Sequence, residues 1–227
     1  MTVIPAVLTW QPATLRRWLV QPGRPKPTFV VVNGIPAAFP EISHDDHWFF
    51  TGANYYFTGG WNRGIAAILA RHPEIAYIWM CDDGTTGCTV AVLNTLLRDM
   101  EAHPDLAMAS PVVPGSPHAH MVPRSGGQFR YVRYLDHPAA LLSVRAWREV
   151  GPFDERFASY GNTEDWTLRA RKAGYRFGVD DAVTVEHQVV GDHGGVSWID
   201  AFERKWGTRD LWDSEGKIVP WDEESLR

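Results

Sequence analysis

The sequence predicts an α/β fold, because strand-like apolar runs alternate along it with segments of helical periodicity. Four runs have the length and composition of buried strands, at residues 2–9, 28–33, 75–81 and 106–113. Strands joined by helices pair mostly in parallel, with the helices packed on the faces of the sheet. We therefore expect a mixed, mostly parallel central sheet flanked by helices.

Three helices are predicted between these strands. The first begins near Pro12, a residue favoured in the first helical turn, and it places Leu15, Trp18 and Leu19 on one face. The second covers about residues 60–71. The third covers about residues 89–102, where apolar residues recur at helical spacing.

A fourth helix is predicted from the segment NTEDWTLRARKAG, which starts at residue 162. Asn162 or Thr163 is suited to cap its N-terminus, and Gly174 is suited to end it. Glu164 and Asp165 fall in its first turn, where the helix dipole stabilises carboxylates even without a catalytic role. The segment therefore indicates either a capped helix or a catalytic pair.

The composition of the chain limits the number of domains expected, the kinds of molecule that it could bind and the compartment in which it is expected to occur. The chain has 227 residues, 44% of them hydrophobic, and no linker divides it into halves, so a single domain is expected. The net charge of −5, without a basic cluster, leaves nucleic-acid binding unsupported. Only Cys81 and Cys88 are present, and neither a secretory leader nor a long apolar span is visible. We expect a reduced, cytoplasmic protein without a transmembrane segment.

Two adjacent carboxylates, Asp82 and Asp83, directly follow the third predicted strand. In an open α/β sheet, ligands bind beyond the carboxyl ends of the strands. Two like charges held close together repel each other unless a positive group compensates them. A divalent cation such as Mn²⁺ or Mg²⁺, completed by phosphate oxygens, would do so, whereas an isolated pair would indicate a solvated turn.

Three segments together resemble a known family: GGWNRGI from residue 59, YIWMCDDG from residue 77, and GPFDERFASYGNTEDWTLRARKAGYRF from residue 151. In this order and spacing they resemble the family 2 glycosyltransferases of GT-A fold, close to the bacterial rhamnosyltransferase-like branch. The resemblance implies a GT-A domain over residues 1–190, with a nucleotide-sugar-binding half (1–113) and an acceptor and catalytic half (114–190). Residues 191–227 would form a C-terminal tail packing on this domain.

The resemblance also implies an activity. A sugar would pass, with inversion and with a divalent metal (Mn²⁺ or Mg²⁺), from a UDP-, dTDP- or GDP-sugar to a hydroxyl of a saccharide, protein or modified nucleic acid. Two alternatives stay open: a metal-dependent nucleotidyltransferase and a catalytically silent sugar-binding module. The first usually has a glycine-rich phosphate loop near the first strand, and VLTWQPATL, from residue 7, is not one.

The resemblance assigns the chemistry to few residues. Asp83 would bind the metal, Asp82 would contact the donor ribose or the metal shell, and His187 would complete the metal site. Asp165 would be the catalytic base, with Glu164 as the second choice. The family pattern has an acidic pair followed by a further acid. Asp165 aligns with the acidic pair when the local Glu-Asp sequence is matched, and with the further acid when positions are counted back from Arg169. The alignment of this segment with the family pattern therefore stays open.

The resemblance places the donor beside the ends of the first two strands and beside the GGWNRGI segment. The residues implied in donor binding are Thr9, Trp10, Asn33, Gly34, Asn62 and Arg63, in addition to Asp82. For Arg63, an exposed helix charge is the alternative.

The acceptor is expected to contact later segments of the chain. Residues 114–133, rich in glycine, proline, histidine and arginine, are interpreted as a lid or binding loop, or alternatively as a disordered insert. The tail offers the tryptophans 198, 206, 212 and 221, and exposed indole rings bind the C–H faces of sugars. We expect an acceptor held on these rings.

Overall fold

The computed structural model describes residues 2–39, 45–116, 121–124, 126–188 and 197–207. Its strands are β1 (Val3–Thr9), β2 (Phe29–Val32), β3 (His47–Phe50), β4 (Tyr77–Asp82), β5 (Thr85–Thr86), β6 (Leu106–Val112), β7 (Phe129–Val132), β8 (Ala139–Ser143), β9 (Arg176–Thr184) and β10 (Glu186–His187). Its α-helices are α1 (Pro12–Leu19), α2 (Tyr56–Arg71), α3 (Val90–Ala102), α4 (Val144–Val150), α5 (Asn162–Lys172) and α6 (Ser197–Trp206).

A central sheet of eight strands has the order β3-β2-β1-β4-β8-β6-β9-β7. Strands β1 to β4 pair in parallel, β8 is antiparallel to both β4 and β6, β9 is parallel to β6, and β7 is antiparallel to β9. Six strands therefore run in one direction and two in the other. The predicted α/β class is confirmed, and the four predicted strands correspond to β1, β2, β4 and β6.

The GGWNRGI segment owes its glycines to close packing of α2 on the sheet. A Cβ at Gly64 would lie 2.6 Å from Val31 of β2, and one at Gly60 would lie 2.9 Å from Leu8 of β1. Real Cβ atoms do not approach side chains so closely, so a larger residue would push α2 off the sheet. Trp61, between these glycines, is fully buried. The motif thus has a packing role of its own.

Two local predictions about the second half of the chain are wrong. The predicted loop 114–133 contains strand β7, which covers the sheet edge by pairing with β9; residues 117–120 and 125 of that loop lie outside the described residues. The N-cap of α5 is Gly161, in a left-handed conformation (φ 81°), rather than Asn162 or Thr163. The Asn162 amide instead donates to Thr58 of α2, at 2.6 Å, and so ties the two helices together.

The predicted tail contains one described helix, α6, which packs against the domain. Phe202 is fully buried in a small apolar cluster with Tyr134 and Phe157. The rest of the predicted tail, residues 191–196 and 208–227, lies outside the described residues. None of the helices in the described part of the chain is long and apolar enough to cross a membrane.

A carboxyl pair between α3 and β9 gives a testable prediction about pH and stability. Burial, and then the neighbouring Asp180, raise the pKa of Asp99 to about 7. The folded state therefore binds a proton that the unfolded state has released, so stability falls as pH rises from about 4 through 7. We expect Asp99→Asn to raise the melting temperature at pH 8 by about 2–4 °C, and by less at pH 4.

Thermal unfolding across this pH range measures the effect. Asp105→Asn is the matched control, because Asp105 is a half-exposed carboxylate paired with Arg176 at 2.9 Å. An equal response of both variants at every pH would contradict the assignment to the Asp99 carboxyl.

Candidate functional site

Asp82 and Asp83 lie at the carboxyl end of β4, beside the end of β1. Leu8 of β1 pairs with Asp82, so the next two residues, Thr9 and Asp83, lie side by side. Successive side chains of an extended chain point to opposite faces. The two carboxylates accordingly have different partners.

Asp83 is held by the first strand and helix. The Thr9 hydroxyl donates to Oδ2 of Asp83 at 2.6 Å, and Thr9 itself is fully buried. Burial raises the pKa of Asp83, while the hydroxyls of Thr9 and Thr14 and the charge of Arg17 oppose the rise. Asp83 therefore has local compensation for its charge.

Asp82 has much less compensation. Its Oδ2 lies 3.8 Å from Nε2 of His187, and its Oδ1 is buried with no hydrogen-bond partner among the described residues. Burial, and then the charges of Asp136 and Asp83, raise the pKa of Asp82 well above its ordinary value. A buried carboxyl oxygen without a hydrogen-bond partner is costly unless a ligand satisfies it.

The pairing of β5 with β10 brings His187 to this position, since His187 lies opposite Thr85, two residues after Asp83. Burial lowers the pKa of His187, which favours the neutral imidazole. A neutral imidazole beside a carboxylate is a ligand pair that Mn²⁺ accepts. The side chains of Asp82 and His187 could therefore serve as ligands of a divalent cation.

A complete protein cage for the cation is absent from the described residues: none of their His, Cys, Asp and Glu side chains form a group of three that could hold a metal ion. Cations of this class often take one or two protein carboxylates and complete their shell with substrate phosphates and water. The pair of Asp82 and His187 matches that open arrangement.

Glu164 and Asp165 have contrasting surroundings, although they are neighbours in the first turn of α5. Asp165 is fully buried, and its Oδ2 accepts from Arg169 at 3.0 Å. Its Oδ1 accepts from the Trp206 indole at 3.0 Å and forms an ion pair with Lys205. Both carboxylate oxygens of Asp165 are therefore occupied by donors from α5 and α6.

Glu164 is buried, and among the described residues it has no cationic partner of this kind. Burial raises its pKa to about 7, with Asp136 adding to the rise. The Tyr134 hydroxyl donates to Oε1 at 3.2 Å and opposes the rise. A carboxyl with a pKa near neutrality is suited to accept a proton from a reacting hydroxyl.

Three residues of the site were missed by sequence reasoning. Asp136 is half-buried and raises the pKa of both Asp82 and Glu164, so it lies between the two ends of the site. His137 is buried, and its Nε2 has no partner among the described residues. The buried indole N–H of Trp61 makes no hydrogen bond of good geometry with a described residue, yet it lies near enough to Asp82 to act as a weak donor that lowers the pKa of that carboxyl.

The segment LDHPAALL carried the only sequence signal for Asp136 and His137. It runs from residue 135 into β8, the antiparallel partner of β4. The amide N–H of Asp82 donates to the carbonyl of Pro138 at 2.9 Å, which fixes this segment beside the strand end. Without knowledge of that antiparallel pairing, an isolated Asp-His pair in a loop does not indicate a site.

Asn33 and Gly34, which were expected to contact the nucleotide of the sugar donor, form hydrogen bonds with other parts of the protein. Asn33 is buried; its amide donates to Asn54 at 3.0 Å and to the carbonyl of Tyr56 at 2.6 Å, and its Oδ1 accepts from the Tyr55 N–H at 2.9 Å. The carbonyl of Gly34 accepts from Gly52 at 3.0 Å. Both residues thus shape the loop between β3 and α2.

Two exposed aromatic residues lie directly after β1 and at the start of α2. Trp10, which follows β1, is 44% exposed, and Tyr56 is 63% exposed with a positive φ of 57°. A non-glycine residue in this conformation is strained and persists only where its surroundings hold it, here Asn33 and Asn54. Each of these exposed rings can offer a stacking face to a ligand.

Asn62 and Arg63 connect α2 to the segment that precedes α5. The Asn62 side chain exchanges two hydrogen bonds with the backbone of Phe153, at 2.9 and 3.0 Å. Arg63 pairs with Glu155 at 2.9 Å and lies over the Tyr55 ring. These contacts give both residues a structural role.

The expectation of exposed tail tryptophans is wrong for the two that the structure describes. Trp198 and Trp206 are half-buried, and Trp206 turns its N–H inward to Asp165. Trp212 and Trp221 lie outside the described residues. The described part of the tail therefore packs on α5 instead of presenting rings to solvent.

Comparison with known proteins gives a result at the level of structure alone. No protein-family profile matches the sequence. No curated protein matches it either.

Among solved structures, GalNAc-T7 with UDP, GalNAc and Mn²⁺ superposes with a TM-score of 0.61 at 10% identity, covering 96% of this chain and 49% of that one. The mannosyltransferase PcManGT of Pyrobaculum calidifontis, with GDP-Man and Mn²⁺, has a TM-score of 0.60 at 16% identity, covering 86% and 59%. TarS of S. aureus has a TM-score of 0.57 at 13% identity, covering 83% and 60%. The chain thus spans only part of the length of each.

At these identities the likeness establishes the fold. The shared arrangement is a mostly parallel sheet flanked by helices, over more than four fifths of this chain in each case. The chain has an α/β fold of the GT-A type.

Proposed function

We propose that the protein is a metal-dependent glycosyltransferase that uses a nucleotide-diphosphate sugar. The observation that carries this proposal is the partly buried strand-end carboxylate of Asp82 on a GT-A fold: its buried Oδ1 has no hydrogen-bond partner among the described residues, and its Oδ2 lies 3.8 Å from Nε2 of His187. The superposed GalNAc-T7 and PcManGT structures contain UDP and GDP-Man, respectively, together with Mn²⁺. A UDP-, dTDP- or GDP-sugar is the donor class that we infer for this chain.

Asp82 and His187 would hold the cation, with Asp83 on the nucleotide side of the strand end. This allocation differs from the sequence-based one, which placed the metal first on Asp83; the bond from Thr9 to Asp83 is the reason. When bound, the cation would neutralise charge that develops on the diphosphate leaving group. The exposed rings of Trp10 and Tyr56 would flank the nucleoside.

Glu164 is the base in this proposal, in place of Asp165. Its carboxylate would take the proton of the acceptor hydroxyl while the acceptor oxygen bonds to the anomeric carbon. The bond from that carbon to the diphosphate oxygen would break, and the nucleoside diphosphate would leave. A single displacement of this kind inverts the anomeric configuration. Asp165 cannot serve equally well, since both of its oxygens already accept from protein donors.

We also propose that the protein belongs to the rhamnosyltransferase-like branch of family 2. Its location would be cytoplasmic, and its acceptor would be a soluble compound with a hydroxyl group. The acceptor would approach Glu164 from the side of residues 134–138, where Tyr134 and Asp136 lie.

The donor class can be tested by thermal unfolding with a panel of UDP-, dTDP- and GDP-sugars in the presence of Mn²⁺. We expect at least one donor to raise the melting temperature by about 2 °C or more, because a ligand at one hundred times its Kd stabilises by about 2.7 kcal/mol. EDTA should remove most of this shift. A panel in which no compound shifts unfolding would contradict the proposed donor class.

The metal ligands can be tested with His187→Gln and Asp82→Asn. We expect each variant to weaken Mn²⁺-dependent binding of UDP or GDP by at least about tenfold, measured by calorimetry, because each removes a ligand. Asp105→Asn, at a surface ion pair, is the matched control and should bind normally. Unchanged nucleotide affinity in both site variants would overturn the assignment.

The base can be tested by comparing Glu164→Gln with Asp165→Asn. We expect Glu164→Gln to lower turnover by about a hundredfold or more with little change in donor binding, because only proton transfer is lost. Asp165→Asn should lower the melting temperature more, since it removes the ion pair with Lys205 and the salt bridge with Arg169. A larger loss of turnover in a folded Asp165→Asn variant would return the role to Asp165.

A further inference from the structure

The carboxyl of Glu164, the proposed base, accepts a hydrogen bond from Tyr134, a residue without a role in the proposed reaction so far. Tyr134 is 5% exposed, Glu164 is 6% exposed, and their contact joins Oε1 to the phenol hydroxyl at 3.2 Å. Burial, and then the charge of Glu164, raise the pKa of Tyr134 well above its ordinary value, so the phenol keeps its proton and can only donate to the carboxylate.

The ring of Tyr134 is fixed by a separate apolar cluster. That cluster consists of Tyr134, Phe157 from the segment before α5, and Phe202 from α6, with Trp198 packed against it. Phe157 and Phe202 lie 6.3 Å apart between ring centroids. Because α6 supplies Phe202, the position of the phenol depends on how α6 is docked.

Asp165 is the docking point for α6. Lys205 pairs with both Asp165 and Asp154, and Trp206 donates to Asp165. The adjacent residues of the acidic pair therefore have connected roles: Asp165 holds the helix whose Phe202 supports Tyr134, and Tyr134 contacts Glu164. This chain of contacts passes through the described residues without a gap.

We propose that Tyr134 is a positioning residue for the catalytic base, orienting the Glu164 carboxyl and setting its proton affinity, with α6 holding the phenol in place. The inference rests on the proposed role of Glu164. Under this proposal, Tyr134, from the loop before β8, and helix α6 of the tail both influence the catalytic base.

The charged groups around Glu164 fix the direction of the expected effect. Asp136 and Asp165 raise its pKa, the Tyr134 hydroxyl lowers it, and Lys205 and Arg169 face Asp165. Loss of the donated hydrogen bond destabilises the carboxylate relative to the acid. Tyr134→Phe should therefore raise the pKa of Glu164 by about one pH unit, the size expected for a hydrogen bond to a charged group.

The titration can be measured without any substrate. Protein labelled with ¹³C at the glutamate side-chain carboxyls is titrated by NMR, and Glu164→Gln identifies the resonance. Tyr175→Phe is the matched control, because Tyr175 donates to Glu149 at 2.7 Å, the same pair chemistry in another place. We expect the Glu164 midpoint to rise in Tyr134→Phe and to stay unchanged in Tyr175→Phe.

A second variant covers the case in which Tyr134→Phe does not fold. Phe202→Leu loosens the support of the ring and keeps the hydroxyl, so we expect a smaller rise of the same midpoint. An unchanged or lowered midpoint in a folded Tyr134→Phe variant overturns the proposal. If that variant does not fold, an unchanged midpoint in Phe202→Leu overturns it.

Turnover gives an independent readout once a donor is known. Tyr134→Phe should shift the acid limb of the pH profile of kcat upward by the same amount and leave the KM for the donor unchanged. A shifted NMR midpoint with an unshifted pH profile would sink the positioning role. If Glu164→Gln proves fully active, the proposed base fails, and the NMR titration still decides separately whether Tyr134 sets the pKa of Glu164.

Discussion

The arrangement of the site depends on one electrostatic constraint, the burial of carboxylates at the end of β4. Asp82 lies beside Asp83 and within the field of Asp136, and burial of Asp82 raises its pKa more than any other cause. Protein groups compensate Asp83 but leave Oδ1 of Asp82 without a described partner. The β5–β10 pairing, the approach of Pro138 and the placement of His187 all converge on this point. Under the proposed function, a positive ligand would offset the charge of the carboxylates at this point.

The sequence predicted the parts of the molecule that obey local rules. Buried strands such as β4 are continuous apolar runs, and α1 and α3 have clear periodicity, so their existence could be inferred. The strand-end position of Asp82 followed from the same pattern. Strands β3 and β7 are short and only partly buried, and they form only because neighbouring strands offer edges to pair with. Such pairing is a property of the tertiary structure.

The site residues divide in the same way. Asp82, Asp83, Glu164 and Asp165 were proposed as site residues because carboxylates adjoin predicted elements. The contacts of Asn62 and Asn33 could not be foreseen, since their partners, Phe153 and the loop before α2, are distant in sequence or irregular. Asp136 and Tyr134 were missed because an antiparallel strand, β8, brings their loop to β4. The spacing of residues in the sequence does not show which loop an antiparallel strand such as β8 places beside the end of another strand.

In each acidic pair, one carboxylate is anchored by protein donors and the other has fewer of them. Asp83 is anchored by Thr9, and Asp165 by Arg169 and Trp206. Their neighbours, the partly buried Asp82 and the buried Glu164, have raised pKa values and fewer hydrogen-bond donors.

Adjacent residues at a strand end or a helix start diverge in direction, so an acidic pair can satisfy packing with one side chain and face the site with the other. The anchored member then fixes the backbone that carries its neighbour. The high desolvation cost of Asp82 and Glu164 is tolerated because Asp83 and Asp165 hold their segments in place.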